Sequence, residues 1–367
     1  MISDFYQTRI VMKRKKRNQA LWMNSMSPSN LDLAARIVLD QYGLSSLQFH
    51  ALGNQGGFSG AALWRVKHSV GDLCLRVWPT GDWGTISRER LTDIHRLMKL
   101  ARVNGLTFVP AVLKSRAGSS FVEQADRLWD LTTWMPGVAA TPARVTRAQV
   151  EAAFIALARL HLAWAAAGSG QGHCPGIHRR LEAYREWDQR IRAVPPRSQA
   201  GAWERVQGAP ADPIQPWAER AWQLLHIHAG QIPARLSPWV NRAVSLQSCL
   251  CDVWHDHVLF EGETVTGLVD FGGVKTDHVA VDLARLLGSL VEDRAELRAA
   301  GLEAYRRIRP LSLLEEELIS VLDETGTLVG LMTWLKWLYV DIRPFENRAS
   351  AARRLQALVE RVERWDL

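Results

Sequence analysis

The run CDVWHDHVLFEGETVTGLVDFGG at residues 251–273 constrains this chain more than any other stretch. Val258-Leu259-Phe260 and Val265 to Val269 read as two apolar strands turning at Glu261-Gly262-Glu263, the pattern of a β-hairpin. A hairpin returns the chain to where it started. Asp252 and His257 before the first arm, and Asp270 after the second, therefore converge on one mouth. Alone, Asp270-Phe271-Gly272 reads as a strand-end turn and Asp252 as a solvated loop acid; the whole arrangement outweighs that reading.

Two acids so spaced, with a ligand five residues after the first, suit phosphoryl transfer. One Asp takes the proton of the attacking hydroxyl, the fifth-position residue helps hold magnesium, and the later Asp carries the bridging metal. At this point the chain resembles the aminoglycoside phosphotransferase and choline kinase group of small-molecule kinases. The group's His-Gly-Asp, four residues, Asn, Val-Leu-Phe, hairpin and Ile-Asp-Phe-Gly are matched by Leu250-Cys251-Asp252, His257, Val258-Leu259-Phe260 and Val269-Asp270-Phe271-Gly272. Asp277 and Val281-Asp282-Leu283-Ala284 resemble its Gly-Asp-Pro-x-x-Asp-Leu-Ala continuation. The resemblance runs over roughly residues 45–345, closely in the C-terminal half and loosely before it. It implies a two-lobed, protein kinase-like α+β fold, with a small β-rich N-terminal lobe at 29–135 and a larger, mostly helical lobe at 136–367. It implies Asp252 as general base, Asp270 as the main metal ligand, and Asp282 as a structural brace for the catalytic loop. The cofactors implied are ATP with Mg2+, or Mn2+ because imidazole at His257 is softer than the amide oxygen Mg2+ prefers.

In the first lobe, segments around Leu47–Leu52, Ala61–Val66 and Leu73–Trp78 alternate as strands after a helix over Leu31–Leu39. Gly53, Gly56, Gly57 and Gly60 lie in a loop between the first two strands, where backbone N–H groups can cover phosphates, although most such hairpins are only turns. The family places a Lys in the third strand and an acid on the next helix; this chain offers Arg76 and Glu89. Arg for Lys is not neutral at a site built around a point charge. The plain alternative is a surface ion pair. Two more strands, Phe121–Glu123 and Leu128–Trp134, end at Met135-Pro136-Gly137, so the resemblance turns backbone near Thr132, Thr133 and Trp134 toward an adenine ring.

Helical spacing returns from Val150 to Ala167, where His161 reads as a satisfied buried histidine. Residues 173–247, with a Pro- and Gly-rich connector near Pro195–Pro216, read as an insertion shaping the acceptor pocket. Five helices follow: Asp282–Leu290, Leu297–Ile308, Leu313–Leu322, Leu328–Tyr339 and Arg348–Arg361. Core packing is the first reading of Trp334, Trp337 and Tyr339, and of most of the 16 tryptophans. One competing set, Cys249, Cys251, His255 and His257, is a zinc-favouring ligand type at an uncommon spacing that would leave Asp252 idle.

At 367 residues and 47% hydrophobic content the chain can build two cores. No 18-residue apolar run predicts a membrane span, the N-terminus lacks a signal-peptide pattern, and four cysteines read as reduced thiols, so the expected compartment is the cytoplasm. Of the net +7, residues 1–20 carry +5, from six Lys or Arg against one Asp. This basic tail, residues 1–28, reads as a disordered extension, or as a start placed too early with Met23 or Met26 the true one. Nucleic acid enters only as a contact of that tail. The expected partner is a small-molecule acceptor. Arg76 and His257 leave open a weak or inactive pseudokinase acting as a binding module.

Overall fold

The computed structural model describes residues 28–44, 48–53, 61–80, 85–193, 212–343, 345 and 347–366. The chain forms two compact units, Met1–Arg88 with Val112–Trp134, and Glu89–Ala111 with Met135–Leu367. Tail residues 1–27 and loop residues 54–60, including Gly56, Gly57 and Gly60, lie outside the described residues.

The first unit is one antiparallel sheet of β1 (Phe49–Gly53), β2 (Ala62–Val66), β3 (Leu73–Val77), β4 (Val122–Gln124) and β5 (Arg127–Thr133), in the order β1-β2-β3-β5-β4. Period-two alternation sorts β3: Leu73, Leu75 and Val77 are buried, while Cys74 and Arg76 take the other face. The buried face joins Trp64, Val66, Trp129 and Leu131 with Ala34, Ala35, Val38 and Leu39 of helix α1 (Pro28–Gln41) in one apolar cluster. Trp64 also donates its indole N–H to Asp32 at 2.7 Å, which fixes α1 on the sheet.

The second unit holds α2 (Arg88–Val103) from Glu89 onward. After the short strand β6 (Val138–Ala139), helix α3 (Arg147–Ala165) starts at a Thr146–Gln149 capping box. Strand β7 (Gly170–His173), helices α4 (Pro175–Glu186), α5 (Gln215–His228) and α6 (Gln231–Leu236), and strand β8 (Ala243–Cys249) follow. The predicted hairpin is β9 (Val258–Glu261) against β10 (Thr264–Leu268), with β6 on its other edge. A second small sheet runs β11-β8-β7, where β11 is Lys275–Asp277. The chain ends in α7 (Ala280–Leu286), α8 (Ala295–Ile308), α9 (Leu313–Leu335) and α10 (Arg348–Glu363).

One expectation changes here. The helices expected at Leu313–Leu322 and Leu328–Tyr339 are a single helix, α9 continuing through a π-turn to Val340. The polar break between them, Asp323 to Thr327, is absorbed because Thr325 and Thr327 bond back to the carbonyls of Val321 and Asp323 at 2.6 and 3.1 Å. The joined helix, Leu313–Val340, is long and apolar enough to cross a membrane by length and composition alone, and 67% of its apolar window is buried within the protein. At its middle Asp323 pairs with Arg361 at 2.7 Å and Arg298 at 2.8 Å. Trp334 is buried against Trp337 and Phe345, as a core residue.

Candidate functional site

The loop after β8 is held by a buried acid. Asp282, at the start of α7, accepts the backbone N–H groups of Leu250 at 2.7 Å and Cys251 at 2.6 Å. His161 Nε2 lies 3.0 Å from the same carboxylate and its Nδ1 2.7 Å from the Tyr305 hydroxyl. With Asp282 ionised, Nε2–H donates to it and Tyr305 donates to Nδ1. All three side chains are fully buried. His161 is thus the satisfied buried histidine expected, and it braces the brace. Cys251 takes φ +60°, the left-handed region where the resemblance places a Gly, and its bonded N–H offsets a conformational cost of about 1 kcal/mol.

Asp252 follows, half exposed. Its Oδ1 accepts from Arg285 at 3.0 Å and from the Trp254 indole N–H at 3.1 Å. The Arg285 guanidinium stacks on the Trp254 ring at 3.9 Å. Arg354 of α10 lies 5.7 Å from that ring and bonds Asp256 at 2.8 Å, tying the last helix to the loop. Burial lowers the Arg285 pKa, and Asp252 partly restores it.

His257 carries the chemistry of its tautomer. Its Nδ1 sits 2.9 Å from the Asp252 carbonyl, an acceptor, so Nδ1 carries the proton and Nε2 the lone pair. Nε2 is 3.8 Å from Asp270 Oδ2. Two ligands of one ion, each about 2.1 Å from it, lie roughly 3–4 Å apart. The residues present therefore fit a divalent cation. Asp270 itself is left-handed at φ +61° and caps the turn Phe271–Gly273. The hairpin brings Asp252, His257 and Asp270 to one place as predicted. Gly273 seals that convergence: a Cβ there would lie 2.7 Å from the Leu250 carbonyl oxygen and 2.9 Å from Asp252 Cβ.

The zinc set is not brought together. Cys249 is buried with its thiol 3.4 Å from the Asp277 carbonyl, His255 pairs with Asp256 at 3.1 Å, and His257 faces Asp270. Burial pushes the thiols of Cys249 and Cys251 up, away from the thiolate zinc requires. Among the described residues the one metal-type grouping is His161, Cys249 and Asp282, and its His and Asp are already hydrogen-bonded.

In the first unit Arg76 lies 4.9 Å from the Trp78 ring centroid, and the β3–β5 register sets the buried acid Asp130 directly opposite it. Glu89 stands in the first turn of α2, whose Arg90 donates to the Gly272 carbonyl at 2.7 Å. Arg76 and Glu89 fall in different units. Thr132 and Thr133 pair with Cys74 and Leu73, and the Trp134 N–H donates to the Asp72 carbonyl at 2.9 Å. That bond commits the Trp134 N–H to Asp72.

Sequence reasoning missed Arg285, Trp254, Asp130, Arg179 and Lys275. A signal existed for Arg285, since it follows Asp282 by three residues, one turn on the same helix.

The model of the phosphotransferase enzyme family matches residues 50–314. The chain belongs to that family. Relatives include the homoserine kinase of Acidiphilium cryptum (strain JF-5), 27% identical over 236 residues, which are 62% of this chain and 63% of the relative. That match therefore spans less than two thirds of the relative's length. The homoserine kinase of Gluconobacter oxydans (strain 621H) is 27% identical over 80% of this chain and 84% of its own. Among solved structures, a spectinomycin phosphotransferase in complex with ADP and spectinomycin has a TM-score of 0.59 at 11% identity, covering 91% of this chain and 97% of the other. The Plasmodium vivax ethanolamine kinase has 0.56 at 13%, covering 90% and 89%. An aminoglycoside phosphotransferase from Alicyclobacillus acidocaldarius has 0.55 at 15%, covering 90% and 93%. At these identities the likeness is one of fold, and it is the two-lobed kinase-like fold that the hairpin motif implied.

Proposed function

We propose that the protein is a cytoplasmic ATP-dependent kinase that phosphorylates a hydroxyl of a small molecule, with L-homoserine the first acceptor to try. The single observation that carries this reading is the triangle of Asp252, His257 and Asp270. Asp252 accepts the proton of the acceptor hydroxyl as general base. Asp270 and His257 hold the metal ion, Mg2+ or Mn2+, which when bound neutralises charge on the phosphates. His257 suits that task because its carbonyl-anchored Nδ1–H leaves Nε2 basic and aimed. Arg76 with Glu89 positions the phosphates, residues 53–60 cover them, and backbone of the Thr132–Trp134 segment faces the adenine. The homoserine kinase relatives support homoserine as acceptor.

The test is turnover with L-homoserine and other small alcohols, alongside thermal shift with ATP and either metal. Ligand that binds only the native state raises Tm by linkage. ATP with Mg2+ or Mn2+ is expected to raise Tm, and Asp252→Asn to keep that shift while losing about 10²–10⁴-fold in turnover. No shift with either metal overturns the nucleotide reading. A shift without turnover of any alcohol favours the pseudokinase.

A further inference from the structure

The segment that follows Asp270-Phe271-Gly272 leads away from Asp252 along β11, and it sets an exposed cation, Lys275, beside a buried acid, Asp277. Lys275 pairs in register with Cys249, three residues before Asp252, and its carbonyl lies 3.9 Å from the Cys251 thiol. Its side chain is exposed and, among the described residues, has no side-chain partner. Two residues on, and therefore on the same face of the strand, Asp277 is fully buried. Its Oδ1 accepts from Cys174 Sγ at 3.2 Å and from the N–H groups of Gly176 at 3.2 Å and His278 at 2.9 Å. Its Oδ2 holds Arg179 from α4. A carboxylate so thoroughly bonded is a fixed anchor, and it uses one nitrogen of a guanidinium that is 39% exposed. Lys275 lies within electrostatic reach of that guanidinium.

The nearby acids are already engaged, Asp277 by Arg179. Asp252 already has Arg285, and Arg90 sits on the Gly272 carbonyl. Partial burial first, then Arg179 and Arg90, lower the Lys275 pKa, against the pull of Cys251 and Asp252. Counting Arg179, Lys275 and Arg285 against their acids Asp277 and Asp252 leaves +1, carried by Lys275.

We propose that Arg179 and Lys275 form an anion clamp that binds a carboxylate of the acceptor, making the protein specific for short hydroxy acids and hydroxy amino acids over cationic amino alcohols. The clamp rests on the kinase reading above and deepens it. Lys275 lies two residues beyond Gly273, which touches the Asp252 position, so it stands roughly 7 Å along the chain from the base. A short-chain acceptor reaches both, its hydroxyl at Asp252 and its carboxylate at the clamp. Arg suits such a site because its planar fork matches a carboxylate with two parallel bonds.

The experiment compares L-homoserine and 4-hydroxybutyrate, which carry a carboxylate, with L-homoserinol and ethanolamine, which do not. Turnover is expected for the first pair and at least about tenfold weaker for the second, the loss that follows from one charge-assisted bond. Lys275→Gln and Arg179→Gln should each raise KM for the carboxylate acceptors about tenfold with a much smaller change in kcat. Lys275→Gln is the safer variant to fold, because Arg179 partners a buried acid. Homoserinol or ethanolamine used as well as homoserine overturns the clamp. If no alcohol at all is phosphorylated, the kinase reading fails by itself. The clamp is then read by calorimetry with 4-hydroxybutyrate: binding that is lost in Lys275→Gln supports it, and no binding to the unsubstituted protein overturns it.

Discussion

The carboxylate of Asp252 has two oxygens, and among the described residues both of its bonds fall on Oδ1, from Arg285 and Trp254. That division orients the group, since fixing Oδ1 turns Oδ2 toward whatever hydroxyl arrives. On the proposed role of Asp252 as base, Arg285 is a positioning residue acting through it. A charge-assisted bond contributes about 1.5–3 kcal/mol, so Arg285→Met should lower kcat by about 10- to 100-fold, with KM for ATP little changed. Arg285→Lys, which restores the charge, should recover part of the loss. Full kcat in Arg285→Met would show that Asp252 needs no such support.

At the scale of elements, α9 is stabilised by what sits at its middle. Asp323 is 5% exposed and holds Arg361 and Arg298, while Arg361 reaches on to Asp293 at 2.9 Å and to the Thr327 hydroxyl at 2.8 Å. Removing one partner of a buried pair leaves the other charged and desolvated, at a cost of about 3–5 kcal/mol. Asp323→Ala should therefore lower the urea midpoint by that much stability with little change in slope. An unchanged midpoint would mean that water reaches the cluster. The same element shows why sequence and structure diverged. The hairpin at 258–268 was legible because its strand period and its turn are local. The unbroken α9 was not, because Thr325 and Thr327 read as a helix stop until their back-bonds and the distant Arg361 are seen. Arg285 and Arg179 were hidden for a related reason: their acids lie 33 and 98 residues away in sequence. His161 was legible as buried, but its two partners were not.

For the whole molecule, the clearest pH dependence comes from His278. It is 2% exposed, accepts from the Ala280 N–H at 3.1 Å, and lies 3.6 Å from Glu315. Burial pushes its pKa down to about 4 from an ordinary 6.5, against the pull of Glu315. The folded state thus favours the neutral ring, and the unfolded chain binds the extra proton between those values. The contribution is complete above pH 6.5 and is lost as pH falls through about 4, a loss of up to about 3 kcal/mol. Tm should fall across that window, and His278→Gln should flatten the fall; an equal slope in both proteins would assign it to carboxylates instead.

The brace on the catalytic loop has one more consequence. Leu250 and Cys251 donate their amides to Asp282, a fully buried acid that His161 holds from behind, itself held by Tyr305. Ordering a loop residue costs about 1–2 kcal/mol of conformational entropy, and here that ordering is completed during folding. If Asp252 is the base proposed above, a substrate reaching it meets a loop with little disorder left to surrender, so the binding free energy it releases is available to align the reacting atoms.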